Sequence, residues 1–569
     1  MRVMIRDIET ESNPWYGELA SPRCPDNYVV MDGYRLVDML PEGVTQHPRL
    51  EERFTSREDW LAKKALHLDG VDMLVAHNAP YEMSWWLMHY RDEFLTFLKR
   101  GGRVFCTAYA HYLLSHQQDR YPSLDEIAPV YGGTQKVDGV KILWEQGFLT
   151  SQIDPELLSE YLSGPEGDVE NTTKVFLRQW AKLSEQGMLM MALVRMEGML
   201  FFSECMHNGL KIDMEVAMSN LEKSSARAAE LRAEITAMLP ADMPEEARAQ
   251  FKLSSDYHVS SFLFGGVMKY EGRVNRTDAE GNIIYEKVLA PYFESLKAGT
   301  NDGLMFDANS GLYYHVPTKT HQAVYKAGKN KGQPKFVEVP GTVPQTKKGD
   351  LLCQLPGLCP IQSLPKDIKA VAQDEWVGKR TLCDGSPVYS SSGDVLKVLA
   401  ALDINGPKQM HELAALDKDI GTYYLKDDGG KVSGMLQYAQ PSGIVHHSLN
   451  VTSTVTGRLS SNRPNLQNIP RGDTSDVKQM FVSRFGEDGV IIEADYSALE
   501  VVGLAAFSQD KALMEALVSG TDMHCMRLAQ QLGEPYEEVL KKCKDETHPD
   551  HKEYKKLRTN VKPKAFALT

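Results

Sequence analysis

Two acids near the start of the chain, Asp7 and Glu9, stand one residue apart in the run RVMIRDIET. In an extended strand, side chains at i and i+2 share a face, so this spacing aims both carboxylates into one site. Adjacent carboxylates repel unless a cation lies between them, and hard divalent cations such as Mg²⁺ select oxygen ligands. A D-x-E pair standing alone is more often a solvated strand face. Two further acids follow in order. The run LVAHNAPYE (74–82) reads as a strand, a turn and a Trp-rich helix and contains Glu82, while GDVENT (167–172) opens another helix at Asp168. Farther on, the apolar run VIIEAD (490–495) delivers Asp495 to the end of an expected strand with a helix after it, where an Asp taken alone also reads as a helix cap. In RTNVKPKAFALT (558–569), Arg558, Lys562 and Phe566 recur every four residues, along one helical face. Proline is tolerated in a first helical turn, so Pro563 predicts a helix capped by Thr559 or Asn560, with Arg558 just ahead of it. A helix N-terminus flanked by Arg and Lys suits a triphosphate.

The elements that must position these residues fall into three regions. Up to about residue 185, β-like runs (3–5, 73–75) alternate with amphipathic helical ones such as 85–98, which predicts an α/β domain. From there to about 240 the pattern is long and helical, with charge on the outer face. Residues 266–385 are rich in Gly, Pro and Lys with little periodicity and look like an insertion containing Lys319, Lys326, Lys329, Lys331, Lys335, Lys347 and Lys348. A solvated loop is the plainer reading of that stretch, and a phosphate-contacting or partner-binding arm the sharper one.

The chain has 569 residues, long enough for several cores. With 42% hydrophobic and 25% charged residues it reads as globular. No apolar run reaches bilayer length and the first candidate site begins at Asp7, so a cytoplasmic location without a membrane partner is expected. The eight cysteines lack CxxC pairs and read as reduced thiols. A net charge of −14 means that affinity for a polyanion must come from a local cleft.

The order of the first three segments resembles the DEDD exonucleases, whose RNase H-like fold gathers four carboxylates around two metal ions. By that resemblance residues 1–185 form a 3′ to 5′ exonuclease domain. Asp7, Glu9 and Asp168 hold Mg²⁺ or Mn²⁺, Glu82 stands where the family has Asp, and single-stranded 3′ ends are the substrate. The family's third motif also has a Tyr one turn before its Asp. Here Tyr161 is separated from Asp168 by Pro165 and flanking glycines, which should break any helix between them.

The segment TGRLSSNRPNLQNIP (456–470), which propensity alone makes a surface loop, closely matches the signature between thumb and palm of family A (DNA polymerase I type) polymerases. That resemblance assigns Arg458, Asn465 and Gln467 to the minor groove of a DNA primer-template, where acceptors occur on every base pair. Residues 490–505 look like motif A, which makes Asp495 and the Tyr496 carbonyl metal ligands and Glu500 a gate against ribonucleotides. Ala498 and Val502 replace the motif's usual Gln and Arg. Asp522 and His524 resemble a finger-helix DxH segment, and residues 558–569 resemble the opening of motif B, with Arg558, Lys562 and Phe566 on the dNTP.

The expected architecture is multidomain α/β and α+β. It comprises the RNase H-like domain (1–185), a helical thumb (186–450) carrying the insertion, a partial palm (451–510) and the start of the fingers (511–569). In the family a Tyr-Gly, further finger helices and a His-Asp-Glu hairpin come after this point. The expectation is therefore a 3′ to 5′ exonuclease that does not extend a primer alone and awaits a second chain carrying the rest. A gene split inside motif B, an incomplete gene end and a natural short form are all compatible with the sequence. The arrangement also resembles compact phage replicases, some of which bind a processivity factor through a thumb insertion. From a different class, the alternative is a non-catalytic DNA-binding subunit of a split replicase.

Overall fold

Five strands form the first sheet: β1 (Arg2–Thr10), β2 (Val29–Leu40), β3 (Gly43–Arg53), β4 (Met73–Ala76) and β5 (Arg103–Cys106). The computed structural model describes the whole chain except residues 136–138, 294–303, 308–311, 316–325, 330, 333–335, 473, 497–498 and 567–569. The sheet order is β3-β2-β1-β4-β5. β1 runs antiparallel to β2 and parallel to β4, and β4 and β5 are parallel. β1 is central and buried along most of its length, as a strand covered on both faces must be.

Helices pack on this sheet around one core that gathers residues from Val3 to Met199, so the helix Leu189–Asn208 shares it through Ala192, Met196 and Met199. The helical run expected over 85–98 is two helices, Pro80–His89 and Arg91–Lys99, separated at Tyr90. The Tyr90 hydroxyl accepts a hydrogen bond from Trp60 Nε1 at 2.9 Å, and Trp60 meets Trp85 edge-on at 5.8 Å.

Beyond it the long helix Met214–Ala237 packs against Pro407–Thr422, with Arg227 2.8 Å from Glu412. A second core lies there, built from Leu231, Ile235, Phe262, Leu263, Leu396 and Leu399 among others. The stretch read as an irregular insertion is β structure in its described part. Gly266–Asn275 pairs antiparallel with Thr346–Leu355, and inside that pair Tyr285–Phe293 meets Phe336–Pro344 and Leu304–Asp307 meets Leu312–His315. Pairing between residues so far apart leaves no local signal. At the base of this ribbon Met268, Cys353 and Leu355 enter the second core. On the other face lie ion pairs, Lys269 with Asp350 at 2.5 Å and Lys348 with Glu271 at 2.8 Å. Lys326, Lys329, Lys331 and Lys347 are exposed, and Lys319 and Lys335 fall outside the described residues.

The chain divides into two units, Met1–Arg484 and Phe485–Thr569. Among its described residues the second contains five α-helices, Leu499–Ser508, Lys511–Val518, Met523–Leu532, Tyr536–Lys544 and His551–Phe566. The strand expected over 490–495 is absent. That run is irregular, with Val490 79% and Ile492 84% exposed. Every long described element of this unit is a helix, so a strand here has no ladder partner. The last helix starts at His551 rather than at Thr559 or Asn560, which puts Arg558 and Pro563 inside it. Tyr554, Leu557 and Val561 recur at helical spacing and pack into the unit's core, and this buried stripe extends the helix backwards. Among the described residues no helix is long and apolar enough to cross a membrane. All eight cysteines are unpaired.

Candidate functional site

β1 brings Asp7 and Glu9 to one place, and the helix Asp168–Glu185 brings Asp168 there from its first turn. One carboxylate oxygen from each of the three lies within 4.8 Å of the others. Gly167 makes the approach possible, because a Cβ there would stand 2.8 Å from the Leu162 carbonyl and the Gly164 nitrogen. Arg35 of β2 ties down the same helix end through Glu170 at 2.9 Å.

The fourth acid, Glu82, comes from the helix Pro80–His89, which β4 reaches through a turn with Asn78 in the left-handed region at φ +57°. Asn is among the few non-glycine residues that enter that region readily. Glu82 is buried and hydrogen-bonded to Asp7. Burial pushes its carboxyl well above the usual range, and the charges of Asp7 and Glu9 push it further. Its Oε2 has no hydrogen-bond partner among the described residues. The neighbouring Tyr81 hydroxyl lies 2.6 Å from Thr10 Oγ1, which fixes the helix start to the end of β1. Sequence reasoning passed over Tyr81, and its place beside Glu82 was the available signal.

Four carboxylates in one pocket, one of them buried with an oxygen to spare, form an oxygen-only donor set that fits Mg²⁺ or Mn²⁺. Tyr161 belongs to a separate helix, Pro155–Ser163, as Pro165 predicts, and its ring meets Trp144 edge-on at 5.8 Å.

The second constellation is a loop held by its own backbone. The strand Ser460–Asn462 pairs with Ser448–Asn450, and the buried Ser461 hydroxyl donates to the Pro464 carbonyl and accepts from the Leu466 amide, both at 3.2 Å. Asn465 Oδ1 accepts from the Gln467 amide at 3.0 Å, and Gln467 Nε2 donates to the Leu459 carbonyl at 3.0 Å. Arg458, Asn465 and Gln467 are exposed on this rigid frame. The Tyr112 hydroxyl from the α/β region donates to the Thr454 carbonyl, so the loop is docked onto that region.

In the second unit Asp495 and Tyr496 are exposed on irregular backbone, and Glu500 is exposed in the first turn of Leu499–Ser508. Asp522 caps Met523–Leu532 by accepting from the Cys525 amide at 3.0 Å, with His524 in that helix's first turn. Arg558 lies 2.8 Å from Asp522, and Lys544 3.2 Å from it. Burial opposes ionisation of Asp522, yet Arg558 and the capping amide hold its carboxyl well below the usual range. The cation expected on a triphosphate is therefore engaged by a helix-capping acid, a pairing across 36 residues that no local spacing revealed. Lys562 and Phe566 fall on the last helix; their side chains, and Ala498, lie outside the described residues.

Comparison with known proteins adds the following. The model of DNA polymerase family A matches residues 363–548. A DNA polymerase of Bacillus phage SP01 is 40% identical over 118 residues, 19% of this chain and 13% of that protein. DNA polymerase I of Rhizobium leguminosarum is 33% identical over 171 residues, 29% of this chain and 16% of that protein. These matches thus span less than a fifth of each relative's length. Among solved structures, the POL domain of Pol1 from M. smegmatis, in complex with DNA primer-template and dNTP, aligns with 100% of this chain and 67% of its own. It does so at 16% identity and a TM-score of 0.45, too loose a likeness to build on.

Proposed function

We propose, from its kinship with family A DNA polymerases over residues 363–548, that the chain serves DNA replication by trimming DNA 3′ ends and holding a primer-template. The observation that carries the trimming half is the convergence of Asp7, Glu9 and Asp168, from segments 161 positions apart, within 4.8 Å of one another, with the buried Glu82 hydrogen-bonded to Asp7. The mixed sheet, with β1 central between antiparallel β2 and parallel β4, supports the RNase H-like reading of residues 1–185.

Asp7, Glu9, Glu82 and Asp168 would hold the divalent ions. When bound, two such ions activate a water and stabilise the leaving 3′ oxygen of an in-line displacement. The chain's own part is positional. β1 and Gly167 fix the distances between the acids, and Tyr81 locks Glu82's helix to β1. Glu82 is hydrogen-bonded to Asp7, and burial together with the charges of Asp7 and Glu9 opposes its ionisation.

On the polymerase side, Arg458, Asn465 and Gln467 read base-pair geometry in the minor groove of the primer-template. Asp495 and Tyr496 take part in metal binding, and Glu500, His524, Arg558, Lys562 and Phe566 face the dNTP. Arg558 reaches a triphosphate by exchanging Asp522 for it.

A 3′-labelled single-stranded oligonucleotide with Mg²⁺, beside Asp7→Ala, tests the trimming half, and a primer-extension lane with dNTPs tests the expectation that the chain alone does not extend a primer. Shortening that the substitution abolishes is the expected result. No shortening by the unaltered chain leaves the non-catalytic DNA-binding subunit as the reading.

A further inference from the structure

Between the α/β region and the 454–470 loop lies a groove of about 340 Å³, all of it within the first unit. One wall is Asn78, Pro80, Tyr81 and Ser84, the turn and helix start that carry Glu82. The opposite wall is residues 447–452, the strand segment paired with the polymerase-like loop, together with Arg463 of the loop itself. The lining contains three charged residues, Glu18, Arg23 and Arg463. Glu18 and Arg23 cancel at 3.3 Å, and Arg23 also donates to the carbonyls of Met206 at 3.2 Å and His207 at 3.4 Å. Burial lowers the two imidazoles on the groove, His207 to about 4 and His447 below its ordinary value.

Arg463 is what remains. Its side chain is exposed and makes no ion pair or hydrogen bond among the described residues. Its backbone sits at φ +46°, the left-handed region that disfavours an ordinary side chain. Such an outlier persists where the surroundings fix it, and such positions cluster at binding sites. In a chain of net charge −14, an uncompensated guanidinium beside neutral hydrogen-bonding groups is a local site for an anion. Its planar fork matches the oxygens of a phosphodiester.

We propose that this groove binds the phosphodiester backbone of single-stranded DNA, with Arg463 as the phosphate contact, and so holds a strand between the primer loop and the carboxylate site. The assignment rests on the DNA-handling function proposed above. It adds to the 456–470 loop a positioning residue distinct from the four acids and from the three side chains assigned to the minor groove.

The test uses the full chain and a short fluorescein-labelled oligothymidylate, with EDTA to prevent hydrolysis and anisotropy followed as a function of salt. Asn accepts the left-handed backbone, so Arg463→Asn removes the charge without new strain. It is expected to weaken binding about tenfold, the size of one charged hydrogen bond. It should also reduce the slope of log affinity against log salt by about 0.7, the share of one single-strand phosphate. Arg463→Lys, which keeps the charge, should restore the slope. Unchanged affinity and slope in Arg463→Asn would overturn the proposal, as would equal losses in both variants with the slope intact.

Hydrolysis of the p-nitrophenyl ester of thymidine 5′-monophosphate with Mg²⁺, a substrate too short to span the groove, separates the two claims. If the unaltered chain leaves the ester intact but binds the oligonucleotide with an Arg463-dependent slope, trimming fails and the groove stands. If the ester is cleaved and Arg463→Asn changes nothing, the groove fails and trimming stands.

Discussion

Arg6 and Asp32 form an ion pair on adjacent central strands with both side chains nearly inaccessible to water, and Arg6 also donates to the carbonyl of Leu66 at 2.8 Å. Removing one partner of such a pair leaves a charge stranded in the core. Asp32→Asn should therefore cost about 3–5 kcal/mol of stability, read by chemical denaturation. The buried imidazoles set a different dependence. Burial holds His77 at about 4, its Nδ1 2.9 Å from Thr107 Oγ1 and its Nε2 3.1 Å from the Pro122 carbonyl. His89, His207 and His446 are lowered to about 4 by the same cause. Because these folded values lie below the ordinary 6.5, the unfolded chain binds more protons between the two. Their contribution is complete above pH 6.5 and lost as pH falls towards 4, so the thermal midpoint should drop across that window. A midpoint that is flat there would show that these rings are not buried as described.

At the scale of elements, the turn into the Glu82 helix depends on Asn78. Asn78→Ala should lower stability by roughly 1 kcal/mol, whereas Asn78→Gly should be close to neutral, and paired denaturation curves distinguish them. The D-x-E face of β1 and the helix break before Asp168 were legible in the sequence because strand alternation and proline chemistry act over a few residues. What those local rules lack is a partner. The ribbon joins Gly266 to Leu355 by register alone, and residues 490–495 have strand propensity with no second strand among the described residues of their unit. Pro563 misled for the same reason, since burial of Tyr554, Leu557 and Val561 outweighs a helix-starting preference. For the candidate site, residue types and order gave Asp7, Glu9 and Asp168. The contact of Glu82 with Asp7 and the engagement of Arg558 by Asp522 depend on packing that spacing does not encode.

Across the whole molecule, buried apolar residues are unequally shared. The first unit carries the large cores, whereas the second closes on Cys525, Leu528, Ala529, Val539, Cys543 and Val561, with Phe507 and Val518 about nine-tenths exposed. Cooperative stability follows buried apolar area. In hydrogen exchange, amides of the helices at 499–566 should therefore exchange well before those of β1, β4 and β5. Simultaneous exchange would mean that the two units unfold as one.

The acids of the carboxylate cluster sit at positions 7, 9, 82 and 168, and that spread has a consequence for when the site comes into being. A ribosome delivers the chain from its first residue, so a nascent chain that has not yet released Asp168 holds three acids without the fourth. Closure also needs the helix that follows Asp168 to settle on the sheet. The four-acid cluster is therefore completed only after Asp168 has been made, and a shorter nascent chain carries no complete version of it.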